Sequence, residues 1–154
     1  MFQRPLTLFR TLAIGEAITW ALLISALIAR AFTDWSLGVT IAGSIHGFVF
    51  LSYGATAILV AMNQRWGAGP TVVAVGSAII PFATIPTEIW LHRTHRLQGE
   101  WRLEHTDDPR DAVWHDRWMR WFLHRPWVLA VLILIAIVVL FTALLIIGPP
   151  GGRR

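Results

Sequence analysis

Four apolar runs, each long enough to cross a lipid bilayer as a helix, dominate this chain, and three of them carry an ionisable side chain: Glu16, His46 and Glu88. The hydrocarbon core of a bilayer takes about 20 residues of helix. The runs extend roughly from Phe9 to Ala29, Leu37 to Met62, Thr71 to Leu91 and Trp127 to Ile147, and only the last is free of charge and histidine. Backbone polar groups inside lipid must bond to one another, which a helix does within itself. The predicted fold class is therefore all-α, a polytopic transmembrane helical bundle of four spans in the cell membrane. It divides into a three-helix module over 8–92, a charged segment over 93–126 and an appended C-terminal span over 127–147.

Composition agrees with that placement. The 154 residues are 55% hydrophobic and 14% charged, against roughly 25% charged in an average soluble domain. Trp35, Trp66, Trp90 and Trp127 stand at span edges, where indole rings anchor at the lipid headgroups. No cysteine is present, which excludes a disulfide, an iron–sulfur cluster and a thiolate zinc site. The net charge of +4 comes entirely from arginine with no lysine. With no sizeable soluble domain to carry it, that charge points to membrane topology and not to nucleic acid. The expected partners are the lipid bilayer and another membrane protein or a second copy of the chain.

The segment from His92 to Pro126 holds seven of the Arg residues and five of the six His. Its second half sets Trp114, Trp118, Trp121 and Phe122 along one side of a helix, with Asp111, His115, Asp116, Arg117, Arg120 and His124 largely elsewhere. Such a pattern predicts an amphipathic helix lying in the membrane interface. With four crossings, the N-terminus, second loop and C-terminus carry five Arg, and the first and long loops carry eight. The positive-inside rule then puts the long loop in the cytoplasm and both termini outside. Arg4, Arg10 and a terminal Ala29-Arg30-Ala31 also resemble a secretory signal, but Glu16 interrupts the apolar stretch, so a retained first helix is expected.

An acidic side chain near mid-bilayer costs about 2.5 to 3.5 kcal/mol on insertion scales, so each should face the bundle interior. Helical spacing puts Ala13, Thr19 and Trp20 on the face of Glu16, and Phe50 and Tyr53 on that of His46. Ser77, Pro81, Thr84 and Glu88 form one stripe along the third run. A single internal seam of Glu16, His46, Tyr53, Ser77, Thr84 and Glu88 is predicted. At about 1.5 Å of rise per residue, Glu16 and His46 fall on opposite sides of the midplane. Glu88, on a third span parallel to the first, would share the side of His46, which makes His46 with Glu88 the easier pair. Pro81 and Pro86 remove backbone donors and free the carbonyls of Ser77 and Phe82, which predicts a kink or break. Gly43, Gly47 and Gly54 present small residues on one ridge, as in close helix packing.

These residues are also where a family resemblance lies. Glu16, the Gly43-x-x-His46-Gly47 element with a following Tyr53, and Pro81-Phe82 resemble the bacterial integral-membrane family called domain of unknown function 3817, over roughly Leu8 to His92. The resemblance implies a small three-helix inner-membrane module and carries over no biochemical activity. Two departures are visible: the usual Pro-Phe-Gly is Pro-Phe-Ala83 here, and the Lys-Tyr after the first span is missing. The fourth run and the long loop lie outside it.

Function remains open between two classes at this stage. A non-enzymatic subunit or assembly factor of a membrane complex would use the buried polar residues to hold helices together. A small transporter or proton-linked binding protein would use them as a Glu/His relay, since imidazole titrates near neutral pH. No hydrolase, nucleotide-binding or metalloprotease motif is present, so no catalytic residue is assigned. His46 is the one histidine deep in a run, so bis-His ligation of haem would need His92 at the edge of a span or a second subunit, and no cofactor or metal is expected.

Overall fold

The computed structural model describes residues 4–33, 35–104 and 113–147, and every regular element among them is helical. Helix α1 spans Pro5–Phe32 and α2 spans Ser36–Asn63, 28 residues each. Pro5 opens α1 at a position whose N–H has no intrahelical partner in any case. Two hydrogen bonds from Thr33, from its N–H and its hydroxyl, close α1 on the carbonyl of Ala29. Both helices are long and apolar enough to cross a membrane. They run antiparallel, as the pairing of Thr19 with His46 near the middle and of Phe9 with Trp66 at one end requires.

At that end α2 stops in a left-handed cap. Arg65 adopts φ 51° and donates to Met62, while the Trp66 N–H reaches the Ala61 carbonyl. This is the Schellman arrangement, with arginine where glycine is usual. The next helix to finish at this end does the same, with His95 at φ 60° donating to His92 and Arg96 to Leu91.

The third apolar run is not one continuous helix. It consists of α3, Ala68–Gly76, a 3-10 turn at Ser77–Ile79, a non-helical corner at 80–83, and α4, Thr84–Arg93. The corner follows from Pro81. A residue before proline is driven out of the helical region, and Ile80 is extended at φ −101°, ψ 122°. The carbonyls that the two prolines free are taken up locally, Ser77 by the Ile80 N–H and Phe82 by the Ile85 N–H. Phe82 turns the chain at φ 64°, at a cost of about 1 to 2 kcal/mol for a residue with a Cβ. Pro86, expected to kink a helix, sits in the first turn of α4, where a missing N–H disturbs nothing.

Beyond the corner the chain doubles back. Inward along α3, Ala74 and Ser77 meet Tyr53, and Ala78 meets Trp20. Outward along α4, Thr84 meets Ala13, Glu88 meets Arg10, and the Arg96 carbonyl then accepts from Trp66, next to where α3 began. The third run is thus a helical hairpin that enters and leaves at one end of the bundle. The expectation of a continuous third helix parallel to the first is corrected on this point: α4 is antiparallel to α1. The core of Phe9, Ala13, Tyr53, Ala57, Val60, Ala74, Ala78, Leu91 and Leu97 is what the hairpin closes against α1 and α2.

Segment 94–104 is stapled across the end of α2. Asn63 donates to the Glu100 carbonyl and Gln64 to that of Gln98, while the Arg102 N–H donates to the Asn63 side chain. The Arg102 guanidinium donates to the carbonyls of Asn63 at 2.7 Å and Met62 at 2.8 Å, where a cation complements the helix dipole. It also holds the buried carboxylate of Asp116 at 3.0 Å, with Arg65 3.6 Å away on the same oxygen. Asp116 fixes helix α5, Trp114–His124, against the bundle. Met119 and Arg120 face inward with it, and Trp114, Trp118 and Trp121 face outward. Helix α6, Pro126–Ile147, follows after a bend of 96° and runs back along α2.

Candidate functional site

The polar residues singled out in the first three runs converge on the inner faces of α1, α2 and the hairpin, and all but one are engaged in bonds that tie these elements together. Tyr53 is wholly buried, and its hydroxyl donates to the Ala74 carbonyl at 3.1 Å and lies 3.0 Å from Ser77 Oγ. Ser77 itself donates to Ala74 at 2.8 Å. The Thr84 hydroxyl donates to the Ala13 carbonyl at 2.9 Å. Between them, Tyr53 and Thr84 pin both arms of the hairpin, one to α2 and the other to α1.

His46 bonds through Nδ1 to Thr19 Oγ1 at 3.1 Å. The Thr19 hydroxyl proton goes to the Glu16 carbonyl at 3.0 Å, so the threonine oxygen accepts from Nδ1–H and the tautomer of the neutral ring is assigned. Trp20 covers His46 with ring centroids 4.5 Å apart, and its indole N–H donates to the Ala78 carbonyl at 3.2 Å. Glu88 pairs with Arg10 at 2.8 Å near the end of the bundle where the hairpin enters. The expected pairing of His46 with Glu88 is therefore corrected. Reversal of α4 carries Glu88 to the opposite end of α1 from the one that a continuous span would have reached.

Glu16 is the exception. Its side chain is 0% exposed, and neither carboxylate oxygen has a hydrogen-bond partner. It sits on the stripe of α1 between Ala13 and Trp20, the two residues that hold the hairpin on either side of its corner. The acid is buried at the hairpin tip with the Trp20 indole beside it, but that N–H is given to Ala78 and completes no bond to the carboxyl.

Among the described residues the glycine ridge forms no close-packed seam. A Cβ at Gly43 would meet only Leu23 at 3.9 Å, and at Gly47 or Gly54 nothing within 4 Å. Gly54 instead lines an apolar cleft of about 370 Å³ between α2 and α6. Close approach occurs at Gly38, where a Cβ would come within 2.6 Å of the Trp35 ring. Sequence reasoning missed that glycine, as well as Arg10 and the cluster of Arg102 with Asp116. Arg10 and Arg102 are single basic residues whose partners lie 78 and 14 positions away, a separation with no local signature.

The family model described as domain of unknown function (DUF3817) matches residues 6–93, that is, α1, α2 and the hairpin. A Streptomyces coelicolor protein named as a membrane protein is 41% identical over 97 residues, which make up 62% of this chain and 12% of that protein. No solved structure matches the chain.

Proposed function

The chain belongs to the family of domain of unknown function 3817, and on that premise we propose that it is a non-enzymatic membrane subunit or interaction factor, built to work inside a larger membrane assembly. The match to the Streptomyces protein carries this reading. There the shared stretch is 12% of one long polypeptide, so the same kind of module stands among other segments of a membrane protein. The polar seam supports it too. Tyr53, Ser77, Thr84, Thr19 and His46 direct their donors and acceptors at backbone and at one another, as helix-locking residues do.

In this reading the protein is multi-pass in the cell membrane. Helices α1, α2 and α6 cross, the hairpin dips in without crossing, and α5 lies in the interface with Trp114, Trp118 and Trp121 toward the headgroups. Ile14, Ile18 and Leu22 are exposed at steps of four along α1, an apolar stripe for lipid or for a partner helix. The test is native mass spectrometry of the tagged protein released with its lipids at native expression. A stoichiometric membrane partner is the expected result, and a partner-free monomer refutes the reading.

A further inference from the structure

We propose that the Glu16 carboxyl is a proton-binding site inside the membrane, and that the proton it holds governs how firmly the hairpin tip is tied to α1 and α2. The site needs this chain alone, so its failure and that of the subunit reading are separate results.

Neither oxygen of Glu16 has a partner, and the side chain is wholly buried. An ionised carboxylate in that position has given up its hydration for nothing, so the packing described above is that of the neutral acid. The surrounding charged and titratable groups are all committed elsewhere. On α1 itself, Arg10 is held by Glu88 of α4. From α2, His46 bonds to Thr19 and Tyr53 bonds to Ala74 and Ser77. The α3 arm and the 3-10 turn carry no titratable side chain.

A metal ion is a poor occupant. A hard cation takes about six oxygens, yet the carbonyls of Ala13, Glu16, Ala74 and Ala78 each already accept a hydrogen bond from a side chain. A proton needs one oxygen only.

Loss of the proton creates a demand for donors, and the donors on the faces around Glu16 include those that tie the hairpin. The Trp20 indole stands one helical turn along the same face and now serves Ala78. The Thr84 hydroxyl serves Ala13, three residues before Glu16. The Tyr53 hydroxyl serves Ala74. Each donor drawn to the carboxylate unties one bond to the hairpin or between its neighbours, and the tip opens toward water. One proton thus biases a two-state element.

The test uses the full chain in phosphatidylethanolamine and phosphatidylglycerol vesicles, with dicyclohexylcarbodiimide as the probe, since in apolar surroundings it takes up the proton of a protonated carboxyl and is then attacked by the carboxyl oxygen, leaving a stable N-acylurea. Peptide mass spectrometry is expected to find the adduct on Glu16, with labelling that falls about tenfold per pH unit once the acid is mostly ionised. Hydrogen-exchange protection factors over residues 77–87, which already correct for the intrinsic effect of pH, are expected to fall over the same range. In Glu16→Gln, which is permanently neutral, protection should stay high and flat. An unlabelled Glu16 in the wild-type chain, labelling that ignores pH, or a Glu16→Gln variant that keeps the pH-dependent loss of protection overturns the proposal. The first two results need no variant to fold.

Discussion

The reversal of the third apolar run is open to a direct test, because the chain has no cysteine and single cysteines can report sidedness without background. The α3 arm with its 3-10 turn is about 20 Å long and α4 about 15 Å, at 1.5 and 2.0 Å of rise per residue. Laid end to end these would reach about 35 Å, enough for a hydrocarbon core of about 30 Å. Folded back, the hairpin reaches only about 20 Å deep and both its ends emerge together. Gly69→Cys and Glu100→Cys flank the two arms at exposed positions, and Ser36→Cys marks the opposite end of α1 and α2. Among the described residues, Arg4, Arg10, Arg65, Arg93, Arg96, Arg102, Arg117, Arg120 and Arg125 cluster at the hairpin's entry end and Arg30 alone at the other. On the positive-inside rule the entry end is expected in the cytoplasm, which would put the N-terminus on the side of the long loop and not outside, as four crossings had implied. A membrane-impermeant maleimide should label residues 69 and 100 together in inside-out vesicles and residue 36 in right-side-out cells. Labelling of residues 69 and 100 from opposite sides would refute the hairpin and restore a continuous span.

Arg102→Ala should destabilise by about 3 kcal/mol, since it removes charged hydrogen bonds to two α2 carbonyls and to a buried carboxylate. A double-mutant cycle with Asp116→Asn, read by tryptophan fluorescence during denaturation, should show coupling, and strict additivity would count against the latch. Tyr53→Phe should cost about 1 kcal/mol, the scale of a hydrogen bond between membrane helices, with the fold retained because Ser77 still serves Ala74; the same unfolding assay reads it. His95→Gly should stabilise by about 1 kcal/mol, because glycine meets no steric penalty at φ 60°, and an unchanged or lowered denaturation midpoint contradicts that account of the cap.

Part of the seam was legible in the sequence, since helical spacing alone puts Glu16 with Thr19 and Trp20, and Thr84 with Glu88; the stripe that joined Ser77 to them fails because the chain breaks at 80–83, which leaves Ser77 facing Tyr53 on α2 and Thr84 facing Ala13 on α1. Partners were less legible. His46 with Glu88 was the natural pairing for a straight third span, and it fails because Pro81 and Phe82 turn α4 around. Asp116 was placed on the polar side of an interfacial helix, yet its side chain is only 2% exposed between Arg102 and Arg65. The aromatic side of that helix is outward as its pattern implied, because amphipathicity is a local property.

By itself the sequence determined the solvent, the helical class, the family and, at Pro81 though not at Pro86, the place where the third run breaks. These depend on composition, on period and on the missing N–H of proline, all of which act within a few residues. Direction after the break was beyond it. A proline ends a helix without saying where the chain goes next, and here Phe82 at φ 64° and the bonds from Thr84 to Ala13 and Glu88 to Arg10 decide that it returns. That tertiary choice gives Glu88 a partner, leaves Glu16 without one, and gathers the arginines at one end.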